Sequence, residues 1–358
     1  MSSRHLLGFN MIAVALVGFL LSFLTQEYRC LIKIKNVSIS RMEENTFFYL
    51  YLLADALDAC TGKYCGRTVL ENGQLTACGP CLCGFRPNAS GICQPCALPL
   101  IVYDWLFLLF MSSFSLVLHF FFIDHYVRTD SKRLAIWHGS AIFEAIVSAI
   151  ISILTSRPIG SLTLEGCGVK ELSDWYTIFY NPTIDYKITI HCAAEAVCPL
   201  YSIVLKYYFI ALILMAVART MIASKFNILG MKKSIYAALY FFPILIVTQA
   251  VLGGVLYFGF PYIVIVTATL TTAYTLAGYK VSSFLDVIKS KRLTIITVVH
   301  WLALAIGIAA ATNGLKNPPI AAQVLLGLIP LPLVFYIITY KFTNPQRSGL
   351  IGTPERWY

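Results

Sequence analysis

Long runs in which nearly every position is apolar, separated by short polar segments, dominate the chain after residue 96. A hydrocarbon core of about 30 Å takes roughly 20 apolar residues of helix to cross. Seven runs qualify, approximately Ala97 to Ile123, Leu134 to Thr155, Tyr201 to Ala218, Ile235 to Phe258, Pro261 to Tyr279, Leu293 to Ala311 and Ile320 to Tyr340. An eighth, Leu6 to Leu24, follows Arg4 and His5 at the N-terminus. As a signal peptide it leaves seven spans, and as an uncleaved anchor it makes eight. The following TQEYRC offers no clear small-residue cleavage site. The run 46–57, TFFYLYLLADAL, is too short to span and is expected to be packed or interfacial. The expected fold is an all-α membrane protein, a seven-helix bundle or eight with a signal-anchor.

Composition supports this. The 358 residues are 58% hydrophobic and 12% charged, against about 25% charged in soluble domains. A net charge of +10 would suit nucleic acid only if gathered on one face, and here the cations are scattered between the apolar runs. They follow the rule that cytoplasmic loops retain Lys and Arg. With the segment before residue 97 placed outside, the cytosolic pieces 124–133, 219–234, 280–292 and 341–358 hold 14 basic residues, and the opposite loops 156–200, 259–260 and 312–319 hold 4.

In that orientation all eleven cysteines fall on the lumenal side, where disulfides persist. Asn36-Val-Ser38 and Asn88-Ala-Ser90 are glycosylation sequons on the same side. The stretch 78–96, CGPCLCGFRPNASGICQPC, holds five cysteines in two CxxC pairs and a third position between. Gly and Pro at its turns suggest a disulfide-stapled domain too small to fold on an apolar core alone. A structural zinc site is the alternative, because Cys78, Cys81, Cys93 and Cys96 supply four thiolates; a redox CxxC lacks its strand-helix context. Eleven is odd, so at least one cysteine is free or bonded to another chain.

The expected organisation is therefore 1–24 signal or anchor, 25–59 variable lumenal segment, 60–96 cysteine-rich lumenal domain, 97–340 membrane domain with lumenal loop 156–200, and 341–358 cytosolic tail. In the loop, HCAAEAVC brings His191, Cys192, Glu195 and Cys198 together. This is not HExxH, and a Cys167–Cys192 bridge pinning the loop is expected instead of a metal site.

Ionisable groups inside spans are functional candidates by default. His119, Glu144, Gln249 and His300 stand out, and His119, Glu144 and His300 together would suit an intramembrane enzyme or transporter. The plainer expectation is interhelical hydrogen bonding with Glu144 protonated by desolvation. Lys206 is expected to snorkel beside Tyr207 and Tyr208. Pro243, Gly253 and Gly254, and Pro330 and Pro332, read as kinks and close helix contacts. No P-loop, GxSxG, kinase set, Rossmann fingerprint or receptor motif occurs, so neither a catalytic residue nor a cofactor is expected.

The strings YDWLFLLF at 103, VLHFFFIDHY at 117, LSDWYTIFYNPTIDY at 172, HCAAEAVCPLY at 191, KSIYAALYFFPIL at 233, FPYI at 260 and KFTNP at 341 resemble the JNK-associated membrane protein family over roughly residues 59 to 345. Cys60, Cys65, Cys78, Cys81, Cys93 and Cys96 look like that family's set of six, and Cys167 and Cys192 match as well. The N-terminal extension, Cys83 and Cys198 depart from it. The resemblance implies a multi-pass endoplasmic reticulum protein that recruits proteasome and ubiquitin-ligase components for degradation of misfolded ER proteins. It also implies association with the kinase JNK and an effect on how long that kinase stays active. Recruitment would rest on short cytosolic epitopes at 219–234, 280–292 and the tail, where Thr353-Pro354 is a phosphorylation candidate. Basic residues before Leu293-x-Ile295 faintly suggest a kinase docking peptide.

Overall fold

The computed structural model describes residues 60, 64–70, 72–127, 131–176, 197–225, 231–279, 281–312 and 323–343. The expectations for the N-terminal run, the 46–57 segment, Cys30, Asn36, His191, Cys192, Glu195 and Thr353 lie outside them. The chain divides into two compact units, Met1–Val255 and Leu256–Tyr358.

The first unit begins with paired short strands, β1 (Cys65–Gly66) with β2 (Gly79–Pro80) and β3 (Phe85–Pro87) with β4 (Cys93–Pro95), both antiparallel. β5 (Leu98–Pro99) leads into helix α1 (Val102–Tyr126), which is followed by α2 (Ser131–Leu154). β6 (Glu165–Gly166) then returns to pair with β5, antiparallel, and a 3-10 turn spans Leu172–Asp174. α3 (Cys198–Lys225) and the start of α4 (Met231–Gly278) complete the unit.

Because these helices are apolar on every side, hydrophobicity alone does not choose the inward face; small and polar residues do. The buried stripe of α1 is Asp104, Phe107, Met111, Ser115, His119 and Ile123, recurring every three or four residues. On α2 the stripe includes Glu144, Ser148 and Ser152, and Ser156 continues it just past the helix end. Each of those serines donates to the carbonyl four residues earlier, at 2.6, 2.6 and 2.7 Å. The side chains thus satisfy themselves within α2 and leave a narrow ridge, which lets α3 pack closely. Tyr207 and Tyr208, beside Lys206, are buried. The Tyr208 hydroxyl donates to Met111 O at 3.1 Å, and Tyr207 Oη lies 3.0 Å from Ser115 Oγ.

The second unit contains the rest of α4, the short α5 (Phe284–Lys289), α6 (Lys291–Thr312) and α7 (Leu331–Thr343). Leu276, Val281, Val287, Leu293 and Leu333 form a buried apolar cluster, and the buried polar side chains among this unit's described residues are the neutral Thr272, Thr297 and Thr312.

Among the described residues, six segments are long and apolar enough to cross a membrane. The difference from the expected seven is at 259–260, where no turn occurs: the fourth and fifth runs form one 48-residue helix, about 72 Å at ~1.5 Å per residue. Pro261 removes only one ladder donor, which membrane helices tolerate, and no polar residue there favours a turn. The helix is likewise continuous through Pro243. Near Pro330 the expectation of a kink holds in stronger form, since residues 327–330 make a turn before α7.

Candidate functional site

The centre of the first unit is a buried ion pair. Arg219 Nε donates to Glu144 Oε1 at 3.0 Å and Oε2 at 3.1 Å, and Nη2 donates to Oε2 at 2.8 Å. The two side chains are 0% and 2% exposed. The expected cytosolic segment 219–234 starts at Arg219, but α3 continues to Lys225. The α3 stripe Tyr208, Ala211, Met215, Arg219 carries it onto Glu144, and that spacing was the signal available in the sequence. The expected neutral Glu144 is corrected as well. A guanidinium keeps its charge, and a neutral acid would leave it buried without a counterion, which costs several kcal/mol.

His119 packs edge-on against Phe241 and Phe242, with ring centroids 4.9 and 5.3 Å away. Gln249 is fully buried, and both its amide atoms lack a hydrogen-bond partner among the described residues. His300, half-buried, belongs to the second unit. The catalytic reading of the three groups needs a mobile proton on Glu144, and bidentate pairing to Arg219 occupies both carboxylate oxygens instead.

The second feature is the joint between the cysteine-rich cap and the segment after α2. All nine cysteines among the described residues are disulfide-bonded. Cys60 bonds Cys78 and Cys81 bonds Cys93 within the cap. Cys83 bonds Cys198 at the start of α3, and Cys96 bonds Cys167. The expected Cys167–Cys192 bridge is thereby corrected. Its reason is local: the β5–β6 pairing sets Leu98 opposite Gly166, so the flanking Cys96 and Cys167 meet. Cys83 and Cys198, the two that departed from the family set, pair with each other. The four sulfurs of the alternative zinc site go to three different disulfides.

Hydrogen bonds converge on the same joint. Asp174, 1% exposed, accepts from Tyr64 Oη at 3.1 Å, Arg86 Nη2 at 3.4 Å, Lys170 N at 2.9 Å and Glu171 N at 3.2 Å. Tyr64 also donates to Ser173 at 2.7 Å. Sequence reasoning missed Tyr64, Arg86 and Asp174 because their partners are about 90 to 110 residues away, and no spacing rule links such positions.

From Asp174 the chain runs straight into a wedge on α4. Added Cβ atoms show the closeness: one on Gly254 would lie 2.6 Å from Trp175 Cβ and 2.7 Å from Tyr176 Cε2, and one on Gly253 2.9 Å from Trp175 Cζ3. The glycine pair, expected to receive another helix, receives these loop aromatics. Tyr176 Oη donates to Val251 O at 3.1 Å and accepts from Val255 N at 3.3 Å. These are groups four residues apart that an undisturbed α-helix pairs with each other.

Of the other sequence candidates, Asn88 uses its Oδ1 to accept from Ser90 N and Ile92 N, both at 2.9 Å, and so builds its own turn. Leu293 of the suggested docking peptide is 2% exposed in the second unit's core, while Ile295 is 63% exposed, so that peptide is not presented. No group of three His, Cys, Asp or Glu side chains suited to a metal occurs among the described residues.

The family model of the JNK1/MAPK8-associated membrane protein matches residues 60–345. The JNK1/MAPK8-associated membrane proteins of Mus musculus and Homo sapiens are each 44% identical, over 306 and 304 residues, covering 83% of this chain and 97% of theirs. The Caenorhabditis elegans homolog is 33% identical over 316 residues, 81% of this chain and 95% of its own. No solved structure matches the chain. The match takes in the cap, the ion-paired helices and the second unit alike, and this chain belongs to the JNK1/MAPK8-associated membrane protein family.

Proposed function

We propose that this chain is an endoplasmic reticulum membrane adaptor. In this reading it associates with the stress kinase JNK and shortens or prolongs its activity. It also gathers proteasome and ubiquitin-ligase components for degradation of misfolded ER proteins, and it carries out no catalytic step itself. The observation that carries the reading is the 44% identity across nearly the whole length of relatives named for JNK1/MAPK8 association. A lumenal cap is supported by nine disulfide-bonded cysteines, since cytosolic thiols stay reduced, and by the Lys and Arg bias of the opposite loops.

Recruitment then falls to the cytosolic segments. The Lys and Arg bias puts both ends of α4 in the cytosol, which requires the two apolar runs of that helix to cross separately in the bilayer with a break near Pro261. On that topology α5 presents Phe284, Leu285 and Ile288, 45%, 60% and 70% exposed beside exposed Lys289 and Lys291. Co-precipitation from detergent tests this. Replacing Phe284, Leu285 and Ile288 together by Ser is expected to abolish recovery of JNK or of proteasome subunits at equal protein level. Unchanged recovery of both would remove α5 as the epitope, and unchanged recovery after exchanging every cytosolic segment would remove the adaptor reading.

A further inference from the structure

We propose that the cap-side end of α1, α2 and α3 holds one glycerophospholipid, its acyl chain in an apolar cavity and its phosphate headgroup in an adjoining charged recess. The cavity, about 200 Å³, is lined by Trp105, Leu108, Ala149, Ile153, Ile203 and Tyr207 among others. Apolar cavities of about 150 Å³ already take up benzene-sized molecules. This one lies among spans, where hydrocarbon chains are the solvent.

The recess, about 50 Å³, shares Ile203 with the cavity and is bordered by Ser156, Arg157, Glu165, Ser202 and Lys206 under Cys83. Depth orders the two correctly. The recess residues Arg157 and Glu165 lie beyond the end of α2 at Leu154, whereas Ala149 and Ile153 lie within its last two turns. At ~1.5 Å per residue the wall formed by Ile153 and Ala149 reaches from about 1.5 to about 7.5 Å inside that helix end, as a headgroup and its chain require.

The charges select the headgroup. Arg157 and Lys206 are cationic donors suited to phosphate, and Glu165 suits the amine of a zwitterion. Arg157 Nη1 donates to Cys83 O at 3.3 Å, which engages one of the five N–H donors of a guanidinium and ties the site to the Cys83–Cys198 bridge. A sterol, with a lone hydroxyl, offers no group of opposite charge to Arg157 or Glu165.

The test uses the full-length protein in bilayers containing a phosphatidylcholine with a diazirine in its acyl chain, photolysed and mapped by mass spectrometry. Labelling at Leu108, Ile153 and Tyr207 is expected to exceed that at lipid-facing Ile150 by about fivefold, a difference of ~1 kcal/mol. Ala149→Phe, which fills the cavity, should erase that excess; should it fail to fold, Ile153→Trp serves the same purpose. Lys206→Gln should lower the excess for the phospholipid but not for a diazirine fatty alcohol. Equal labelling at Ile150 and in the cavity, unchanged by the filling variants, means annular lipid only and overturns the proposal. So does preferential labelling by a diazirine sterol.

Discussion

The two compact units are stabilised by different physics. The first cross-links its cap through Cys83–Cys198 and Cys96–Cys167 and buries the Glu144–Arg219 pair. The second gathers Leu276, Val281, Val287, Leu293 and Leu333 into a cluster without a charged member. In a bilayer, apolar packing competes with lipid tails that are equally apolar, so it specifies partners weakly. Covalent bonds and buried charges admit one arrangement each. The contrast teaches that this chain fixes geometry in its first unit, where the polar and covalent restraints are concentrated, and leaves the second to shape complementarity.

The largest effect that could break this contrast is at the ion pair. Glu144→Ala leaves a buried unpaired guanidinium and should destabilise the first unit by about 3–5 kcal/mol, read as a lower thermal midpoint in detergent. The double variant Glu144→Leu with Arg219→Leu should recover most of that loss. If the double variant is as unstable as the single one, the pair is not the organising contact. Next, Cys96→Ser with Cys167→Ser should cost about 2–4 kcal/mol and make the 97–166 segment more sensitive to protease, whereas reductant should leave the proteolysis of 256–312 unchanged.

At the wedge, Tyr176→Phe removes one hydroxyl that serves two backbone groups and should cost about 1 kcal/mol. Hydrogen exchange at Val255 would then change, in a direction that reports whether the phenol or the helix ladder had protected it: faster exchange is expected. The smallest effect belongs to the second unit. Asp286 caps α5, accepting from Ser282 Oγ at 2.9 Å and from the Ser282 and Ser283 amides at 3.1 and 2.9 Å. Chiefly the Ser282 side-chain hydrogen bond holds its carboxyl below the usual carboxylate range. A depressed carboxylate stabilises above its unfolded pKa and loses that contribution as pH falls through the folded one. Helicity of α5 should therefore persist at neutral pH and fade only in strong acid, and Asp286→Asn should remove the pH dependence.

The sequence made the helical membrane class legible because 20-residue apolar runs have few other interpretations. That the cap and the start of α3 share a side, as the Cys83–Cys198 bridge requires, agrees with the reading of the loop charges. What escaped was every contact made at long range. Glu144 is visible as a costly residue, but its partner is hidden because Arg219 follows the apolar run that ends at Ala218. The Cys96–Cys167 and Cys83–Cys198 bridges follow from the β5–β6 pairing and from the folded position of α3, neither of which leaves a local mark. Gly253 and Gly254 announced a close approach, yet spacing could not say that Trp175 and Tyr176 make it.

The claim at the centre of this account is that the cap is sewn to the membrane body and does not stand alone. Non-reducing peptide mapping of the purified full-length protein, with free thiols blocked before lysis, tests it most directly. The account predicts linked peptides joining Cys83 to Cys198 and Cys96 to Cys167. Pairing of Cys83 and Cys96 wholly within residues 60–96, or their recovery as free thiols, would contradict it.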